Sequence, residues 1–356
     1  MRPSLYIYTL LLLLTSTCNS FMFTSSPLTS SRYAHNLKHP SSKTATSPRP
    51  LHVLQDDLAV VPDENGLIAD DAARFNLEEQ SVAEWLKFTG ATGLVLFLVS
   101  YVWFLPFGPH WGTEYLNLIQ SSLGTTSPSA TIFTQLTLFA FIHSGLAALR
   151  PYNPLGERFH RVIFAVVSLP LSLSAISYFV SHGHDDPLWT LPHNDFTHYL
   201  LFFTNLISFL LLYPSTFNLL EIAAITPPQL HLYETGVIRI TRHPQAVGQI
   251  MWCAAHTAYL GSGVALSAST ALIAHHLFSV WHGDKRLKDK HGEKFEFIKE
   301  RTSVVPFQAV WEGRQILPED YWKEWCRLPY FVVVGGTVGA YLAHPYMMAG
   351  AALLGW

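Results

Sequence analysis

RHPQAVGQIMWCAAHTAYLGSGVALSASTALIAHHLFSVWHGDKRL, residues 242–287, decides the fold. Its 41 residues from His243 to Gly283 contain no Lys, Arg, Asp or Glu. A hydrocarbon layer about 30 Å thick takes roughly 20 helical residues to cross, so the stretch reads as two successive spans, near 246–262 and 264–281. Working outward, similar apolar runs lie near 89–107, 132–149, 160–180 and 198–214 upstream and near 329–347 downstream. The expected fold class is an all-α integral membrane helical bundle with about seven transmembrane helices. Composition agrees: 49% of the chain is hydrophobic, only 13% is charged and the mean hydropathy is +0.22, values a soluble globule of 356 residues rarely shows.

Loop charge tests the span count independently, because basic residues collect on one side of a membrane. Arg150, Arg158 and Arg161 follow the second span, Arg239 and Arg242 the fourth, and Lys285, Arg286, Lys288 and Lys290 the sixth. The loops after the first, third and fifth spans carry no Lys or Arg. A missed or invented span would break this alternation. It puts the N-terminal flank on the basic side and the uncharged tail from Gly350 to Trp356 on the other. With a net charge of −3 and its basic residues in short loop clusters, the chain is not expected to bind nucleic acid. Its three cysteines, Cys18, Cys253 and Cys326, are too scattered for a disulfide framework or a zinc ribbon.

The N-terminus reads as targeting sequence. Met1-Arg2 and the apolar run Leu5 to Leu14 end in small and polar residues, as in a signal peptide over 1–20. Residues 21–53 are rich in Ser and Thr, carry Arg32, Lys38, Lys43 and Arg49, and have no acidic residue, the composition of a transit peptide. Together they resemble the two-part presequences of algal plastid proteins, and imply a plastid membrane, envelope or thylakoid, as destination. Residues 54–85 are acidic and read as a flexible arm, ahead of a transmembrane domain over 86–356. Within it, 284–328 is the sizeable polar segment. Leu287, His291, Phe295 and Ile298 recur there at helical spacing, predicting an amphipathic helix on the membrane face.

Polar side chains inside the spans need a reason, since hydrocarbon offers them no water. Gln135, His143 and Arg150 fall near one face of the second span. Gln249, Cys253 and His256 form a stripe in the fifth, and His275, Ser279 and His282, with His276 beside them, form one in the sixth. Any one histidine can be a plain interhelical hydrogen bond. Several on different helices suggest a ligand set. Membrane bundles hold b-type haem between histidines on facing helices, whereas covalent haem attachment needs a Cys-x-x-Cys-His run that is absent. Zinc or di-iron would want carboxylates or thiolates among the histidines, and no Asp or Glu lies mid-span. Haem b is the inorganic cofactor this composition favours.

The runs from Gly236 through Leu287, HGEKFEFIKERTSVVPF at 291–307, RLPYFVVVGGTVGAYLAHP at 327–345 and FIHSGLAALRP at 141–151 resemble the NnrU-like membrane family, in its plastid branch. The resemblance covers roughly 85–356. It implies an isomerase that turns the central 15-cis double bond of 9,15,9′-tri-cis-zeta-carotene to trans, giving the 9,9′-di-cis isomer, with reduced haem b as cofactor. It further implies His143 and His256 as axial ligands, Cys253 as an alternative ligand to oxidised iron, and His275, His276 and His243 as reserve ligands. Arg150 and Arg242 become candidate partners of the haem propionates. The substrate would be a lipid-soluble polyene and the partner an electron donor of unknown identity. Two other functions compete. Arg242-His243-Pro244 and Gly248 also resemble the isoprenylcysteine methyltransferases, which bind S-adenosylmethionine, but Ala246 and Gly283-Asp284-Lys285 depart from that pattern. A non-enzymatic membrane haem protein, carrying electrons or sensing redox state, is the third class.

Overall fold

The computed structural model describes residue 62 and residues 67–73, 80–105, 107–152, 154, 156–192, 194–213, 219–227 and 229–352. The signal-peptide and transit-peptide assignments, 1–20 and 21–53, lie outside these. The described residues form helices joined by loops, with two isolated bridges and no strand. In order they are α1 (Val82–Trp103), α2 (Trp111–Leu123), α3 (Pro128–Leu149), α4 (Glu157–His182), α5 (Asp195–Leu212), α6 (Leu219–Ile222), α7 (Val237–Ile240), α8 (Pro244–Leu260), α9 (Gly263–His291), α10 (Glu293–Arg301), α11 (Gln308–Trp311), α12 (Trp322–Trp325) and α13 (Leu328–Ala352).

Each of the seven expected spans falls on a helix: α1, α3, α4, α5, α8, α9 and α13. Five of them, α1, α3, α4 from Arg158, α5 and α9, are long and apolar enough to cross a membrane. Local signals set their ends. Ser81 and Glu84 close a capping box at the start of α1, Asn194 caps α5 and Ser262 caps α9. Pro128 and Pro244 occupy first-turn positions, where the missing N–H costs nothing. α8 and α9 form a tight hairpin. Gly261 ends α8 at φ +57, and a Cβ there would lie 1.9 Å from the Trp189 carbonyl oxygen, so the turn requires glycine.

The bundle pairs α3 with α4 and α9, α5 with α8 and α13, and α8 with α9. Close approach comes from small residues, as it does where lipid removes the hydrophobic drive between helices. At Gly248 a Cβ would sit 2.6 Å from the Ser208 carbonyl oxygen, and Ser208 Oγ donates to the Gly248 carbonyl at 2.8 Å across the α5–α8 seam. The two loop sets separate. At one end, Leu188 and Trp189 donate to Gly261, Gly263 donates to Asp186, and Ser129 Oγ reaches Asp186. At the other, Arg161 donates to the Ile222 carbonyl, His291 Nε2 meets the Leu230 carbonyl and Arg242 pairs with Asp284. All the basic loops gather at this second end, as the alternation of charge required.

Three parts differ from expectation. α2 is a 13-residue helix in what reads as a plain loop. Within the arm expected to be flexible, residues 67–73 dock on the basic end: Asp70 pairs its backbone with Leu232 and Glu234, Ile68 N donates to Glu234 at 2.8 Å, and Ala72 and Ala73 are buried. The predicted amphipathic helix is broken. α9, with 29 residues against the roughly 20 a bilayer needs, runs out of the membrane and stops at Gly292 (φ +54). Its end and α10 fold back so that Leu287, Phe295 and Ile298 are buried together with Leu230 and Leu232. The apolar spacing was real, and it faces protein rather than lipid.

Candidate haem-binding site

The site is built where α3, α4 and α9 meet. Ala268 and Ala271 of α9 pack with Ile132 and Leu136 of α3 and Ala175 and Tyr178 of α4. Because those alanines are small, α9 approaches α3 closely. One turn beyond Ala271 the same packed side of α9 presents His275, and one to two turns beyond Leu136 α3 presents Phe139 and His143.

His143 is fully buried. Its ring centre lies 6.0 Å from that of His275, 4.4 Å from Phe164 and 4.9 Å from Phe139, and His276 stands 5.8 Å beyond His275. Ser168 Oγ of α4 is 3.2 Å from His143 Nδ1. A partner on one ring nitrogen fixes the imidazole and selects the other for ligation, so coordination by His143 would be through Nε2. Two imidazoles sharing one metal ion, each with a bond of about 2 Å, have ring centres roughly 6 Å apart. Among the described residues no group of three His, Cys, Asp or Glu side chains could hold a metal ion. A pair of imidazoles suffices only where the cofactor brings its own in-plane ligands, as haem does. On the same face of α3, two turns away, Gln135 is fully buried and neither its amide oxygen nor its nitrogen has a partner among the described residues. The donors are those a haem takes, but Phe139, 4.9 Å from His143 and 6.0 Å from His275, stands in the space between the two imidazoles, so a haem held by both requires that ring to move.

The other sequence candidates go elsewhere. His256 on α8 stacks on Trp252 at 3.9 Å with Nδ1 bonded to the Trp252 carbonyl, and the imidazole it feels is His344 of α13. It does not meet His143. Cys253 is completely buried and free, touched by Gln249 Nε2 at 3.5 Å and packed under Ser269 of α9. Arg242 and His243 converge on Asp284, at 2.9 and 2.6 Å. Arg242 thus has its carboxylate already, while Arg150 is buried at the end of α3, on the site's own face. Phe139, Phe164 and Ser168 were missed. Ser168 belongs to a buried serine stripe, Ser168, Ser172, Ser174 and Ser177, which was the available signal.

A family model described as NnrU protein matches residues 131–352. The chain is 49% identical over 293 residues to the 15-cis-zeta-carotene isomerase, chloroplastic, of Arabidopsis thaliana, covering 82% of this chain and 79% of the relative. It is 48% identical over 301 residues to the protein of the same name from Zea mays, covering 83% and 81%. No solved structure matches the chain. With more than half of its length under the family model and four-fifths of it aligned to relatives near 50% identity, the chain belongs to the NnrU family.

Proposed function

We propose that this protein is a plastid membrane isomerase that converts 9,15,9′-tri-cis-zeta-carotene to the 9,9′-di-cis isomer, with haem b as its cofactor and His143 and His275 as the candidate ligands. The observation that carries the reading is the meeting of these two imidazoles inside an apolar bundle, in a chain half identical to two proteins named for this isomerisation. Haem b, where bound by His143 and His275, would supply a reversible one-electron couple beside the polyene. The chain's own part is positioning. Ser168 holds the His143 ring, and Phe139 and Phe164 line the imidazoles with apolar surface suited to a polyene. Lipid-facing side chains such as Phe133, Leu138 and Phe141 on α3 let a hydrocarbon reach the bundle sideways from the bilayer. His275 replaces His256 as the favoured second ligand on geometry alone. Cys253, seated away from His143, fits a small buried side chain. The methyltransferase alternative loses ground because the Arg-His pair is committed to Asp284.

The test is expression of the full chain in bacteria that accumulate 9,15,9′-tri-cis-zeta-carotene, kept in darkness because light isomerises the same bond. Chromatography should show the 9,9′-di-cis isomer, and His143→Ala should abolish it. A haem-loaded protein that converts nothing would favour the electron-carrier reading, and a folded protein without haem would overturn the cofactor.

A further inference from the structure

The uncharged stretch from His243 to Gly283 is bounded by Arg242 and Asp284, and these two meet at 2.9 Å. Both open ends of the α8–α9 hairpin thus leave the apolar layer at one level, which the ion pair marks. The chain at 303–307 is tied to that level. Arg242 N donates to the Ser303 carbonyl at 3.0 Å, Thr241 Oγ1 to the Val304 carbonyl at 2.7 Å, and Phe307 N to the Ile240 carbonyl at 3.0 Å. Further bonds close the loop that follows. Ser303 Oγ accepts from Ala309 N at 3.0 Å, and Gln315 N donates to the Ala309 carbonyl at 3.0 Å.

Ala309 and Gln315 are buried in this loop, whereas Val305, Phe307, Trp311 and Ile316 are exposed, from 55% at Phe307 to 93% at Trp311. Trp311 N bonds to the Phe307 carbonyl at 2.9 Å, so both aromatic residues belong to one turn. Phe307 holds φ +63, which an L side chain adopts only at a cost. A loop fixed in this way cannot fold its apolar side chains out of water, and an exposed cluster of this kind marks a contact surface. The neighbours say what covers it. α11 packs on α7, a single turn whose other end holds α13, where Val237 N donates to Tyr330 Oη at 3.4 Å and Tyr330 is buried with Val237 and Ile238. In that same first turn of α13, Leu328 and Phe331 are exposed where the span enters lipid. The α11 cluster therefore continues a lipid-facing surface at the membrane boundary, the place where Trp is favoured because its ring suits both apolar and polar surroundings.

We propose that the loop at 303–316 is a membrane anchor: Val305, Phe307, Trp311 and Ile316 sit among the headgroups and upper acyl chains of the leaflet on the basic side and hold the cap against the bilayer. The anchor is independent of the haem reading above.

The experiment uses the full chain, labelled with fluorotryptophan and held in phosphatidylcholine nanodiscs. The fluorine resonance missing from the Trp311→Phe protein is that of Trp311. Dissolved oxygen, which concentrates in lipid, should relax this resonance several-fold more than a water-soluble gadolinium chelate does. Phe307→Trp in the Trp311→Phe chain moves the probe to the other aromatic position and should give the same lipid-side ratio, so the result does not hang on one substitution. Relaxation by the chelate with little effect of oxygen would put the cluster in water and overturn the proposal. Protection from both probes would put it beneath a second copy of the chain or another protein, and would overturn the proposal equally.

Discussion

Two polar regions of this molecule are built on opposite terms. In the cap on the basic side, charges come in closed sets: Arg239 with Glu324, Arg242 and His243 with Asp284, Arg327 with Asp71, and His231 between Asp70 and Glu221. In the α3–α4–α9 column, among the described residues, the buried amide of Gln135 meets no partner and Arg286 meets no carboxylate. Buried polar groups are normally satisfied. On the function proposed above, the open amide of Gln135 is a place for a ligand to be recognised.

The contrast predicts different fates for substitutions in the two regions. The largest effect on stability belongs to the cap. Arg239 and Glu324 are both nearly buried, and Glu324 also accepts from Gly236 N, so Glu324→Ala should cost about 3–5 kcal/mol by leaving a buried guanidinium uncompensated; thermal unfolding in detergent measures it. A stability loss under about 1 kcal/mol would remove the distinction drawn here.

The next effect is a dependence on pH. Hydrogen bonds to Asp70 and Glu221, both 3.0 Å from the ring, outweigh burial and raise His231 from its ordinary 6.5 to about 9. The folded state therefore holds its proton more tightly than the unfolded chain. This contribution is fully present below about pH 6.5 and disappears as pH rises through about 9. Discounted for the exposure of Asp70, it amounts to about 1–2 kcal/mol. Asp71 works in the other direction. Burial alone would raise its pKa, but hydrogen bonds from Thr235, Arg327 and the Ala73 N–H lower it, so its contribution is present above the ordinary 3.8 and is lost on acidification. Protease cleavage within 67–80, followed against pH, should accelerate above pH 9 in wild type and be flat there in His231→Gln.

In the column the expected effect is smaller and opposite in sense. Gln135→Leu removes an unpaired buried amide, so the ligand-free protein should be unchanged or up to about 1 kcal/mol more stable, while haem affinity falls. Destabilisation by several kcal/mol would mean that Gln135 is structural. Smallest of all, Lys285→Ala breaks an exposed pair and should change stability by less than about 0.5 kcal/mol.

The spans were legible because hydropathy and loop charge are independent signals that agreed. α2 was not: thirteen residues mixing Tyr, Leu and Ile with Asn, Gln and Ser are too short and too polar to announce a helix in a membrane protein. The strap at 67–73 was hidden because acidic residues read as solvated chain until Arg327, His231 and the Leu232 and Glu234 backbone come round to meet them. For the site, the resemblance paired His143 with His256, whereas the structure places His275, held in reserve, beside His143. α8 and α9 both carry polar residues at i, i+3 or i+4 and i+7, and only the rotation set by the hairpin at Gly261 decides which stripe faces α3. Ala268 and Ala271, in register with His275, were the clue to that rotation.

Haem content separates the two faces most directly. Purified full-length wild type, His143→Ala, His275→Ala and His256→Ala are compared by the reduced haem spectrum and haem-to-protein ratio. The account predicts that the first two variants lose the cofactor while His256→Ala keeps it. A His256→Ala protein emptied of haem beside a fully loaded His275→Ala protein would contradict it.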